Sequence, residues 1–217
     1  MPSIEKIVNY YHSELKKSVV AKNYLKSRGF TKETIIKFQL GYAPSSPKIG
    51  KRFHDRIIFP VWDSFGEVIG WTARTLINAD PKYVNVKGSA KFQKGRFLYG
   101  YYQAKRAIVK SRWAILVEGQ TDVLTLHQYG LINTVAVSGT ALKPAMVRLL
   151  SRYAQKVYIV LDADDAGEKA SEKAQKLFEE ENVRGILVKL PGKDDPDSYV
   201  YKYGKESFVS LLKQSDK

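Results

Sequence analysis

The chemistry open to this sequence lies in three groups of carboxylates, each placed just after an apolar run. Glu118 follows WAILV. Asp162, Asp164 and Asp165 follow KVYIVL. Asp194, Asp195 and Asp197 follow RGILVKLP. Asp162 and Asp164 stand two apart on extended chain, so their side chains leave on the same side, as a pair bridging one metal ion requires. Carboxylates gathered at one place repel and raise one another's pKa, so such a gathering calls for cations. Hard oxygen donors suit Mg²⁺ or Mn²⁺. The alternative is that these acids cap helices and line loops, and it stays open above all for Asp165 and Asp194. Other chemistries are excluded. The chain has no cysteine, hence no disulfide framework, thiolate zinc site, iron–sulfur cluster or cysteine nucleophile. His12, His54 and His127 are too far apart in sequence to suggest a ligand set, and surface or hydrogen-bonded roles are expected. No GxxxxGK[ST] phosphate loop occurs in GKDD or SGTAL.

The elements that must position these acids are legible from Trp113 onward. WAILVEG, NTVAVSG, KVYIVLDAD and RGILVKLP read as strands, the apolar runs being those of strands covered on both faces. Helices are expected over TDVLTLHQYG, over Leu142–Tyr153 with Pro144 in the first turn, and over Gly167–Glu181. Alternation with short connections implies a parallel α/β sheet with right-handed crossovers. Ligands of such a sheet bind beyond the carboxyl ends of its strands, where all three acidic groups fall. Ser138-Gly139-Thr140 reads as a tight turn near the acids.

Before Trp113 the pattern is α+β. One helix is expected over 4–27, stopped by Gly29, and a short one near 32–38 capped by Thr31. Residues 41–51 and 80–97 read as loops. RIIFPVW and EVIGWTARTL flank Asp63-Ser64-Phe65-Gly66 as a hairpin. A helix is expected over 99–111. No apolar run approaches the ~20 residues that span a bilayer, and the first residues lack the core of a signal peptide, so no membrane partner and a cytoplasmic location are expected.

Charge divides the chain. The 217 residues carry a net +14, but residues 1–112 hold 22 Lys and Arg against 7 acids, whereas residues 113–217 hold 14 against 15. The excess positive charge lies in the first part and the acid-dependent chemistry in the second. A basic face attracts polyanions, most simply nucleic acid, unless it is merely solvated. Tyr83, Tyr99, Tyr101 and Tyr102 lie among these cations, and two fates stand open for them, packing in a core or stacking on bases.

ILVEGQTDVLTL, AVSGTAL, VYIVLDADDAGEKA and LPGKDDPDSYV, in that order, resemble the Toprim domain. Their wording, with VAKNYLKSRGF, FQLGYAP, RFHDRIIFPVWDSFGEVIGWTAR and PKYVNVKGSAKFQKGRFLYGYYQAKRAI upstream, is similar to the catalytic core of bacterial DnaG-type primases. The resemblance implies a basic α+β subdomain over 1–112, a Toprim domain over 113–200 and a C-terminal helical tail over 201–217. It implies a nucleotidyltransferase that makes short RNA primers on single-stranded DNA from nucleoside triphosphates, with two or more Mg²⁺ or Mn²⁺ ions. Glu118, Asp162 and Asp164 are then the catalytic acids. Asp122, Asp195 and Asp197 join them as metal-binding positions. Arg52, Arg56, Lys82, Tyr83, Asn85, Lys94 and Arg96 hold template and triphosphate.

The likeness departs from the family in four respects, the first being Ala163 in place of the glycine usual between the two aspartates of DGD. The cysteine/histidine zinc module is missing and the match begins after it. The chain stops before the helicase-contacting part. The segment between GYAP and RFHDR is short. A minimal version is expected, with the zinc module or the replicative helicase as partners on other chains. Two other readings of the same residues are a Toprim-type metal-dependent nuclease and a nucleic-acid-binding accessory without catalysis. KGRFLYG favours the primase over the nuclease, and intact Glu118, Asp162 and Asp164 argue against the accessory.

Overall fold

The computed structural model describes residues 2–45, 50–77, 80–86, 95–162, 165–192 and 194–216, with residues 165–169 described by backbone alone. By its internal contacts the chain divides into two compact units, Met1–Phe92 and Gln93–Lys217. The division falls ahead of Arg112, where the charge changes character. Residues up to 112 therefore include a helix that packs with the second unit.

In the first unit the helix expected over 4–27 is two helices, α1 (Ile4–Lys17) and α2 (Val19–Ser27). Ser18 separates them. Its backbone is extended, its N–H still reaches Glu14 O, and its Oγ accepts from the Ala21 amide at 3.2 Å. A serine that can cap the next turn competes with helix continuation. Thr31 caps α3 (Lys32–Lys37) as expected, accepting from the Thr34 amide. β1 (Gly41–Ala43), β2 (Arg56–Trp62), β3 (Val68–Thr75) and β4 (Tyr83–Asn85) form an antiparallel sheet in that order. The hairpin β2–β3 matches expectation. β1 and β4 occupy stretches that read as loops, because three residues are too few for alternation to show. Pro60 is tolerated within β2 because β1 pairs only with Arg56–Ile58, so the chain beyond has a free edge.

Helix α1 seats on this sheet. Tyr11 meets the Trp71 ring edge-on at 5.7 Å, and Phe53 meets it at 5.4 Å. The seat leaves no room beside Gly41. A Cβ there would stand 2.7 Å from Tyr11 Cβ and 2.9 Å from the Tyr11 backbone carbon. Gly41→Ala is therefore expected to destabilise the first unit by about 1–3 kcal/mol, as overpacking does. Denaturant unfolding followed by tryptophan fluorescence checks it, and an unchanged midpoint would refute the close seating of α1.

The second unit holds α4 (Tyr101–Ser111), β5 (Trp113–Val117), α5 (Gln120–Gln128), β6 (Thr134–Ala136), α6 (Pro144–Ser151), β7 (Lys156–Ile159), α7 (Asp165–Glu180), β8 (Arg184–Leu187) and α8 (Pro196–Ser215). Its strands are parallel in the order β6-β5-β7-β8, which meets the α/β, Toprim-type expectation. β5 to β6 crosses one way, while β6 to β7 and β7 to β8 cross the other, so right-handed connections place α5 opposite α6 and α7. One apolar core accordingly gathers Tyr101, Ala104 and Ile108 of α4, Met146, Val147 and Leu150 of α6, and Ala174 and Phe178 of α7 over Leu116, Val135, Val157 and Ile159. Residues after 200 continue α8, interrupted at Gly204 (φ 81°), and Phe208 and Leu212 are buried. No described helix is long and apolar enough to cross a membrane.

Candidate active site

The strands of the second unit diverge in direction of connection at β5, and the crevice this opens lies beyond its carboxyl end. Glu118 is the residue there. Its carbonyl accepts from the Ser138 amide at 2.9 Å. Ser138 and Gly139 both have positive φ (58° and 68°), and Thr140 Oγ1 donates to Val137 O. The Ser138-Gly139-Thr140 segment is thus the tight turn expected, and it braces the main chain of Glu118. The Glu118 side chain reaches across to the end of β7, where Oε1 accepts from the Asp162 amide at 3.2 Å. Residues 44 apart in sequence meet because β5 and β7 are neighbours in register. A cavity of about 830 Å³ adjoins Glu118, walled by Leu116, Val137, Leu142, Leu161 and Leu177.

Asp122 lies one turn into α5 and is buried. Both of its oxygens accept backbone amides: Oδ2 from Gly119 at 2.9 Å and Oδ1 from Asp197 at 3.3 Å. Space beside Gly119 is tight, since an added Cβ would meet Asp122 Oδ2 at 3.0 Å and push on it. Asp197, also buried, accepts from Thr125 Oγ1 at 2.5 Å. Burial pushes the Asp122 carboxyl up to about 8. The Gly119 amide opposes that rise, and the nearby carboxylates of Asp195, Asp197 and Asp162 add to it. Asp195 caps α8, accepting from the Ser198 amide at 2.7 Å. Asp194 stands 3.8 Å from Lys202 Nζ and so has an ordinary ion-pair role.

The acids thus fall into two linked sets. The Glu118 carboxylate meets the main-chain amide of Asp162. Asp122 and Asp197 form a buried lock between α5 and α8, with Asp195 beside it. Thr125, which the sequence did not single out, belongs to that lock; it lies one helical turn after Asp122 on the same face, which is the signal that points to it. Asp164 lies outside the described residues, as do the Asp165 side chain and Lys94. Among the described residues no three acids or histidines are arranged to hold a metal ion. The donor chemistry nevertheless fits a divalent cation: hard oxygens, with enough negative charge gathered to raise a neighbouring carboxyl.

The basic candidates divide between the two units. In the first, Arg56 Nη1 donates to the carbonyls of Pro81 (3.0 Å) and Lys82 (3.3 Å). The Arg52 guanidinium donates to the Asn85 carbonyl and lies 4.6 Å over the Phe53 ring. Asn85 Oδ1 accepts from Thr72 Oγ1 at 2.8 Å. Arg74, a residue the sequence reading missed, lies over both Tyr83 (5.5 Å) and Tyr24 (5.8 Å). These contacts hold β4 and the segment leading into it, where Lys82 is exposed. In the second unit Arg96 is exposed. Base stacking by Tyr99 and Tyr101 is ruled out, since both are buried and the Tyr101 hydroxyl donates to Leu149 O. Tyr102 remains exposed. Two of the three histidines are hydrogen-bonded as expected, His12 Nδ1 to Leu40 O and the buried His127 Nε2 to Thr134 O, whereas His54 Nε2 is buried with no hydrogen-bond partner among the described residues.

Residues 115–200 match the Toprim-like family model, and residues 10–51 and 46–105 match that of the DNA primase catalytic core, N-terminal domain. The structure of a DnaG primase catalytic domain bound to ssDNA superimposes with a TM-score of 0.89 at 31% identity, covering 97% of this chain and 79% of that one. The chain belongs to the DnaG primase catalytic-core family. The Aquifex aeolicus primase structure with zinc-binding and RNA polymerase domains gives a TM-score of 0.91 at 36% identity, over 97% of this chain and 59% of that one. The curated DNA primase of Aquifex aeolicus (strain VF5) is 36% identical across 98% of this chain. That of Halalkalibacterium halodurans is 36% identical across 86%. The chain spans 48% and 36% of the length of these two relatives. Within the DnaG primase core fold, Glu118 and Asp162 end adjacent strands of the Toprim sheet.

Proposed function

We propose that this chain synthesises short RNA primers on a single-stranded DNA template, as a metal-dependent nucleotidyltransferase. The observation that carries the reading is the meeting of Glu118 with Asp162 at the carboxyl edge of the parallel sheet, in a member of this family. Glu118, Asp162 and Asp164 would hold Mg²⁺ or Mn²⁺, with Asp122, Asp195 and Asp197 adjoining. Bound there, two such ions supply a lowered pKa for the attacking 3′-hydroxyl and neutralisation of the departing pyrophosphate. The chain's own residues do the rest. Asp122 fixes the Gly119 turn that aims Glu118. Lys82, with Tyr83 and Asn85 on β4, binds phosphate and template, and Lys94 and Arg96 complete the triphosphate contacts. Arg52 and Arg56 hold β4 in place and add positive charge. Nucleoside triphosphates and DNA are the substrates, the cytoplasm the compartment, and a replicative helicase or a zinc module in trans the partners.

The test is incubation with single-stranded DNA, labelled nucleoside triphosphates and Mg²⁺ or Mn²⁺. Extension products are expected from the parent protein, with Asp162→Ala reducing them to background. Shortened template in the absence of triphosphates would replace this reading with a nuclease. DNA binding with neither product would leave a non-catalytic accessory.

A further inference from the structure

The parallel sheet of the second unit has a second edge, and its character is the opposite of the first. Where β5, β7 and β8 begin, the neighbouring elements are cationic. Arg112 joins α4 to β5, and its carbonyl accepts from the Gln155 amide at 2.7 Å, just before β7. The end of α4 and the end of α6 are therefore side by side. Tyr101 hydroxyl to Leu149 O (2.8 Å) and Lys105 over the Tyr153 ring (5.8 Å) tie them further. Residues 101–112 and 144–154 carry six Lys and Arg and no acid.

Two acids reach this edge from other elements. Asp216 pairs with Lys156 and Arg184, and Glu181 with Arg148. Among the described residues, no carboxylate stands within ion-pair distance of Arg106, Lys110, Arg112 or Arg152, all of them exposed. β5 is five residues long, so at ~3.3 Å per residue the two edges stand about 16 Å apart. That is roughly two Debye lengths at physiological salt. Arg112, at the start of β5, is therefore too far from Glu118, at its end, to serve a phosphate reacting there.

One stripe of α4 shows what these cations suit. Tyr102, Arg106 and Lys110 fall at i, i+4 and i+8, all exposed, with Tyr102 45% accessible. An aromatic ring followed by two cationic side chains on an open face suits single-stranded nucleic acid, whose phosphates take the charges and whose bases stack on the ring. We propose that the exposed stripe of α4 formed by Tyr102, Arg106 and Lys110, continued at the amino edge of the sheet by Arg112 and near the end of α6 by Arg152, is a second contact for single-stranded DNA, engaging strand that lies beyond the catalytic rim. The proposal rests on the nucleic-acid reading of the preceding subsection.

The test compares the parent with Arg106→Gln/Lys110→Gln/Arg152→Gln and with Tyr102→Ala, on single-stranded DNA at several salt concentrations. The triple variant is expected to flatten the slope of log affinity against log salt by about 2, at ~0.7 per lost phosphate contact. Tyr102→Ala is expected to weaken binding by roughly fivefold to a hundredfold. Primer extension on a short template should stay at the parent level in both variants. These side chains are exposed, and circular dichroism verifies folding. An unchanged slope and affinity, while the parent binds steeply, overturns the second contact and leaves the primase reading standing. A parent that binds DNA without salt dependence and extends nothing overturns both. Loss of binding to phosphatidylserine vesicles with unaltered DNA binding also overturns the proposal, in favour of a membrane surface.

Discussion

Glu118→Gln is expected to cut primer extension by about a hundredfold or more while leaving the unfolding transition nearly where it was. The two effects separate because of what each oxygen does. The amide oxygen of glutamine can still accept from the Asp162 amide, a contact through which Glu118 ties the end of β5 to the chain after β7. Its carbonyl still accepts from Ser138. The charge is lost, however, and with it the capacity to take a proton or draw a cation. Loss of one such group commonly costs 10²–10⁴ in rate, as a general estimate. Single-turnover extension with saturating template checks the rate, and denaturant unfolding checks the fold. Extension near the parent level would remove Glu118 from the chemistry and, with it, the assignment of the crevice as the active site.

The second large effect concerns stability and pH. With its pKa pushed up to about 8 in the folded chain and near 3.9 when unfolded, Asp122 keeps a proton in the native state that the unfolded chain has already released. Between those values the folded state binds more protons, so stability declines as pH rises. The contribution is fully present below about pH 4 and gone above about pH 8. Its size is on the order of a few kcal/mol, because the group is buried. Asp55 works in the other direction: its hydrogen bonds from Ser45 and Tyr42 hold it below the usual range, so its contribution is lost only as pH falls under that window. Denaturant unfolding at pH 5, 6, 7 and 8 should show the decline, and Asp122→Asn should flatten it. The asparagine amide would face either the Gly119 or the Asp197 N–H, so the variant is less stable at low pH, and the slope is the decisive quantity. A slope that persists in Asp122→Asn would place the titrating group elsewhere.

Much of this architecture was readable before any coordinates. The apolar runs at 113–117, 134–136, 156–159 and 184–187 are strands in parallel order, because continuous aliphatic runs between amphipathic helices have few other ways to be buried. Short elements were not readable. β1 and β4 are edge strands whose pairing partners, β2 and β3, supply the reason they are extended. Ser18 shows the limit of periodicity: the apolar spacing runs through it, and only its cap to Ala21 reveals the break.

The site divides along the same line. Residue types and order alone determined that Glu118 and Asp162 would follow strands, since a side chain's place along a strand is local information; the DPD acids instead open α8, with Asp195 as its cap. Tertiary structure alone decided which acids touch. Glu118 meets Asp162 because β5 and β7 are hydrogen-bonded neighbours, whereas Asp122 turns inward and receives two backbone amides that come from opposite ends of the unit's sequence. Strand order and the packing of α8 on α5 set those pairings. They arise from long-range burial of apolar surface, a property of the assembled core that no short stretch of chain contains.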